Sequence, residues 1–192
     1  MTNQYSSKSA NDKRAPTPLS LREPLQVATA VIRAMRTGRA WDGQAVSPYG
    51  PLADLYRELL EEGLPQWHAQ HQGHLYLAVN ASWPGVLKIG CTRRSVEARM
   101  ASLSTTGVAT PWRALWSLAV HDAHYLEAKV HHACDQSRLG KEFFSTAPEL
   151  AQALVQQITQ ADAAQLTEGL QLWVGPAVLE ACFGHAPSRV LH

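Results

Sequence analysis

Leu75, Leu77 and Val79 alternate with Tyr76 and Ala78, and a second apolar run, Val86 to Ile89, follows a Trp83-Pro84-Gly85 turn. A period of two puts alternate side chains on one face, so residues 74–90 predict an antiparallel β-hairpin. Ahead of it the period is helical. Pro24 opens a stripe of Leu25, Val27, Ala28, Val31, Ile32 and Met35, with Gly38 as its stop. Leu52, Leu55, Tyr56, Leu59 and Leu60 predict a second amphipathic helix that ends at Gly63, and Trp41 to Pro51 reads as the loop between the two.

Behind the hairpin, Ser95 caps a helix whose Val96, Met100 and Leu103 face inward, while Arg99 lies on the neighbouring stripe. Trp116, Leu118 and Val120 mark a third strand over 113–120. Leu126, Val130, Ala133 and Cys134 mark a helix over about 123–138, and Phe143 and Phe144 return the chain to the core. A helix opening near Thr146 continues through Leu150, Leu154 and Ile158 to about Ala164, and Leu170 to Val174 reads as a short strand. The expected class is α+β: a small antiparallel three-stranded sheet flanked by helices in β-β-α-β-α order, with an N-terminal helical extension and a C-terminal helix. The implied divisions are a disordered tail (1–20), a helical extension (21–73), a central domain (74–158) and a C-terminal extension (159–192).

Composition changes this picture little. The chain has 192 residues, 45% of them apolar and 17% charged, enough for a core. No apolar run is long enough to span a bilayer and no signal-peptide core follows Met1, so a cytoplasmic protein is expected. Cys91, Cys134 and Cys182 form no CxxC pair, which argues against a zinc ribbon or disulfide framework and for reduced thiols. Net charge is only +1, but its distribution is uneven: residues 1–40 carry +5 and residues 74–146 carry +3, against −4 over 41–73 and −3 over 147–192. Positive charge thus falls on the tail and the hairpin region, where a phosphate backbone would be met. Arg33, Arg36 and Arg39 suit the end of the first helix, or a nucleic acid.

Several residues around the hairpin resemble the GIY-YIG nuclease superfamily, over about residues 74–146. Tyr76 falls at that family's first tyrosine, Lys88-Ile89-Gly90 at the second half of its signature, Arg99 at its helical arginine and Glu127 at its metal-binding glutamate. The wording is closest to a phage-derived DNA-binding-domain branch. That branch has a KIG second half, a Ser/Thr-Gly loop (Ser104 to Gly107), an LE…H helix (Leu126, Glu127, His131) and a terminal aromatic pair. The chain departs from the pattern at His74-Leu75, at Lys88 in place of the second tyrosine, and at Leu103.

The resemblance implies a divalent-metal-dependent endonuclease acting on DNA, with Mg²⁺ (or Mn²⁺) on Glu127. A non-catalytic or weakly catalytic DNA-binding module of the same fold is the alternative. Arg99 offers a planar fork to phosphate oxygens. Tyr76 would serve as base or water-orienting group, and Lys88, as a neighbouring ammonium, would lower its pKa. His131 either orients Glu127, contacts phosphate or is structural. Arg93 and Arg94 are expected on the nucleic-acid backbone, as are Ser104, Thr105 and Thr106. Glu142 is either a further acidic group or an anchor for the loop before Phe143. His124, Glu127 and His131 superficially suggest a zinc helix, but their spacing is not that of H-E-x-x-H.

Overall fold

The computed structural model describes residues 22–39, 47–105, 108–184 and the backbone of 189–190. The expected tail (1–20) and most of the loop expected over 41–51 lie outside the described residues. In order, the elements are α1 (Pro24–Thr37), α2 (Ala53–His71), β1 (Gly73–Asn80), β2 (Leu87–Thr92), α3 (Val96–Leu103) and β3 (Trp112–Val120). They continue with α4 (Ala123–Ala133), β4 (Arg138–Gly140), β5 (Phe143–Phe144), α5 (Pro148–Leu170), α6 (Pro176–Phe183) and β6 (Arg189–Val190).

The class is α+β, but the sheet is larger than three strands: it runs β4-β5-β2-β1-β3-β6, with every pairing antiparallel. The three long strands form its centre. The additions at the edges are two or three residues long, too short to carry a period-two signal. Phe143 and Phe144 thus enter the core as strand β5, paired with Lys88 and Leu87.

Alternation along β1 and β2 divides the core. Leu75, Leu77, Leu87, Ile89 and Cys91 face α4 and α5, packing on Leu126, Val130, Ala151 and Val155. Tyr76 and Ala78 face the other way, onto Val96 and Met100 of α3 and onto Trp112. Ser95 caps α3 as expected, its hydroxyl accepting from Ala98 N–H at 3.1 Å. A bulge in β3 opposite Leu77 and Ala78 takes up one residue, bringing Trp112 opposite Asn80.

A third core joins the two extensions into one helical lobe: Val27, Val31, Leu60, Leu64, Trp67, Leu166, Leu170, Trp173 and Phe183 pack together. Two sequence expectations change here. The second helix runs through Gly63 to His71, because Gly63 serves a close helix crossing: a Cβ there would lie 2.2 Å from the Pro24 carbonyl oxygen. Leu170 to Val174 is the end of α5 and a turn, not a strand, and buries Trp173 and Val174 in this lobe. The division placed at 158/159 falls inside α5, which gives Ala151 and Val155 to the sheet core and Ala163, Leu166 and Leu170 to the lobe.

A buried polar cluster pins the lobe to the sheet. Arg36 of α1 donates to Asp122 and to Asp162, each at 2.7 Å, and stacks over the Tyr125 ring at 3.7 Å. His121 Nε2 lies 2.9 Å from the same Asp162 oxygen. Burial alone would raise the Asp162 pKa, but the hydrogen bonds and charges of His121 and Arg36 outweigh it and hold the carboxyl below its ordinary value. The Arg36 guanidinium therefore serves this junction rather than a nucleic acid. Among the described residues, no helix is long and apolar enough to cross a membrane.

Candidate functional site

β2 is half covered on its outer edge. β5 pairs only with Leu87 and Lys88; Ile89 N–H then donates to the Glu142 carbonyl at 3.1 Å, and the Ile89 carbonyl meets His131 Nε2 at 2.9 Å. Beyond Ile89, Gly90 to Thr92 have no strand on that side among the described residues. The candidate groups gather around this free end.

Gly90 pairs across the hairpin with Tyr76, and the tyrosine ring lies directly over it. A Cβ at Gly90 would sit 2.5 Å from the Tyr76 hydroxyl oxygen and 2.6 Å from Cζ, so only glycine leaves the ring this path. Arg99 reaches back from α3, and its Nε donates to the Tyr76 hydroxyl at 3.4 Å. Tyr76 is fully buried, and desolvation pushes its pKa above the ordinary value; the Arg99 hydrogen bond and charge pull the other way without reversing the shift, and the Glu142 and Glu127 charges add to it. Tyr76, Arg99 and the two glutamates therefore share one electrostatic neighbourhood.

Lys88 does not tune Tyr76. Its side chain is buried, its ammonium is bonded to a Glu142 carboxylate oxygen, and it lies 5.1 Å from the centre of the Phe143 ring. The cation on the tyrosine is Arg99. Glu142, expected as a further acidic group or a loop anchor, is the partner of Lys88.

On the opposite side of β2, Cys91 points at α4. Its Sγ lies 3.2 Å from His124 Nδ1 and donates to Glu127 Oε2 at 3.2 Å. Burial raises the Cys91 thiol to about 12, with the Glu127 charge and hydrogen bond adding to the effect. Glu127 thus has a thiol and an imidazole beside it. Neither Cys91 nor His124 is among the expected site residues. The signal available was the i, i+3 spacing of His124 and Glu127 on one helical face. Cys91 could not be joined to them without the tertiary fold.

The remaining expected residues separate. His131 bonds the Ile89 carbonyl and packs against Phe144 at 5.1 Å, so it anchors α4 to β2 rather than orienting Glu127. Ser104 closes α3: its hydroxyl donates to the Met100 carbonyl and accepts from Trp112 N–H, both at 2.8 Å. Thr105 is exposed, and Thr106 lies outside the described residues. Arg93 and Arg94 are exposed just past the free end of β2. Arg93 also borders a cavity of about 510 Å³ between the helical lobe and the sheet, lined by His68, His74, His121 and Thr159 among others.

No curated protein and no solved structure matches this chain. Assignment of the hairpin to the GIY-YIG superfamily is not upheld: the family model that matches is a different one. Of the GIY-YIG signature this chain keeps only a tyrosine and an Ile-Gly pair, and His74-Leu75 and Lys88 depart from it. Residues 73–159, from the first strand into α5, match the T5orf172 domain, a phage-associated domain that points to nuclease or DNA-binding work.

Proposed function

We propose that this chain is a divalent-cation-dependent phosphodiesterase acting on nucleic acid, DNA above all. The observation that carries the reading is Arg99 Nε on the Tyr76 hydroxyl at 3.4 Å, with the Glu127 and Glu142 charges bearing on that hydroxyl, beside the stretch of β2 whose outer edge has no strand among the described residues. Hydrolysing a phosphodiester requires charge on the non-bridging oxygens, an oriented water and stabilisation of the leaving alkoxide. Arg99 supplies the first, as a donor fork suited to phosphate. Tyr76 holds that arginine in place. With its pKa raised it keeps its proton at neutral pH, so it is a positioning residue rather than the base. Glu142, paired with Lys88, is the carboxylate left to orient the attacking water. Glu127 is the ligand for a divalent cation, Mg²⁺ or Mn²⁺, which when bound supplies Lewis-acid charge and leaving-group stabilisation. Arg93 and Arg94, exposed beside the site, suit contacts to flanking phosphates.

The test is cleavage of labelled single- and double-stranded DNA, with and without Mg²⁺ or Mn²⁺, by wild type, Glu127→Gln and Arg99→Ala. Loss of a single charge-stabilising donor is expected to lower turnover by about 10²–10³-fold. Equal cleavage by all three proteins would refute the assignment of residues. The buried, protonated Tyr76 favours one other reading, a DNA-binding module of the same fold with weak or absent catalysis. Binding that persists in EDTA, with no cleavage in either metal, would establish that reading instead.

A further inference from the structure

Three potential ligand atoms converge beside the free end of β2. Cys91 Sγ, His124 Nδ1 and a Glu127 carboxylate oxygen all lie within 4.8 Å of one another, with Sγ 3.2 Å from each of the other two. They come from two rigid elements: Cys91 from β2, and His124 with Glu127 from one face of the first two turns of α4. A tetrahedral ion with a sulfur ligand at ~2.3 Å and a nitrogen ligand at ~2.0 Å holds those two atoms roughly 3.5 Å apart. The observed spacing therefore needs an opening of only a few tenths of an ångström.

The chemistry of the set is selective. Mg²⁺ prefers oxygen ligands and waters and gains little from a thiol or an imidazole. A sulfur–nitrogen–oxygen triad suits a borderline dication such as Zn²⁺ or Co²⁺. Thiolate and carboxylate together balance its charge, the imidazole adds none, and the thiol proton leaves to solvent on binding. Exposed His124 gives the ion a way in, while Cys91 is buried. Three protein ligands leave a fourth position for water or substrate, the arrangement of catalytic rather than structural zinc. Gly90, immediately before Cys91, packs against the Tyr76 hydroxyl that Arg99 holds, so the ligand set and the Arg99–Tyr76 pair stand on the two faces of the same strand end.

We propose that Cys91, His124 and Glu127 bind one transition-metal dication of the Zn²⁺ class, and that this is the ion of the phosphodiester site. The second clause rests on the phosphodiesterase reading; the first does not. The experiment titrates Co²⁺ into full-length protein, stripped of metal and kept reduced, while the near-ultraviolet thiolate-to-cobalt charge-transfer band is followed. One equivalent with a strong band is expected, displaced by Zn²⁺ but not by an excess of Mg²⁺. Cys91→Ser should abolish the band, and His124→Ala should weaken Co²⁺ affinity at least about tenfold. His124 is exposed, so that variant keeps the test valid if Cys91→Ser fails to fold. Cys134→Ser removes a thiol outside the cluster and should leave the band intact. Absence of the band in folded wild type, or its persistence in folded Cys91→Ser, would overturn the metal site. The same loaded protein is then assayed on DNA. A band without cleavage keeps the site and overturns its catalytic use; Mg²⁺-dependent cleavage without a band overturns the site and leaves the phosphodiesterase reading standing.

Discussion

Gly90→Ala tests the path that brings Tyr76 to Arg99. The backbone at Gly90 is ordinary extended strand, so alanine meets no conformational penalty there and the effect must come from space alone. A Cβ at 2.5 Å from the Tyr76 hydroxyl oxygen, 2.6 Å from Cζ and 3.1 Å from Cε2 overlaps the far end of the ring. The ring is fully buried, flanked by Val96, Met100 and Trp112, and cannot swing into solvent. Overpacking of this kind costs about 1–3 kcal/mol. Losing the Arg99 hydrogen bond adds ~1 kcal/mol. Reduced freedom of the unfolded chain returns ~0.4–1 kcal/mol. The net destabilisation is about 1–3 kcal/mol, or a fall in melting temperature of roughly 2–12 °C for a chain of this size. Displacing the ring by about 1 Å also moves Arg99, which should cost on the order of 10²-fold in cleavage rate. Thermal unfolding and DNA cleavage would be measured beside Gly140→Ala, where an added Cβ meets nothing within 4 Å. If Gly90→Ala melts and cleaves as Gly140→Ala does, the glycine does not serve as the passage for the tyrosine.

Gly63→Ala would place a Cβ 2.2 Å from the Pro24 carbonyl oxygen, so it should destabilise the chain by about 1–3 kcal/mol, read by urea unfolding, by forcing α1 and α2 apart. Asp162 has a folded-state pKa below its unfolded value, so its contribution is complete above the unfolded value of about 3.9 and is lost as pH falls through the folded one. Wild type should therefore lose its stability advantage over Asp162→Asn between about pH 4 and lower pH, and an advantage that is constant across that range would contradict the burial and pairing described. Lys88→Met strands Glu142 without its cation and should cost about 1–2 kcal/mol, less than a fully buried pair because Glu142 is 40% exposed. Adding Glu142→Gln should restore most of it, and a double variant no more stable than the single would show that the ion pair is not the source of the loss.

Periodicity determined the long elements. The alternation in 75–79, the stripes of α1, α3 and α4, and Ser95 as a cap were legible because each is decided by neighbours close along the chain. Tyr76, Arg99 and Glu127 came from the resemblance to a nuclease family rather than from periodicity. What the sequence by itself could not decide were contacts between distant segments. Gly63 read as a helix stop because its need for space lies in Pro24, a residue of another helix. The edge strands β4, β5 and β6 exist only because a longer strand offers them hydrogen bonds. The two terminal extensions form one lobe because α5 is long enough to serve two cores. The same limit applies to the charges. Lys88 stands two residue pairs from Tyr76 in the hairpin register, yet its ammonium is bonded to Glu142, and Arg99 takes the place assigned to it. Cys91 shows the same rule at the metal side: its strand position was readable, but its meeting with His124 and Glu127 was set by how α4 packs on β2.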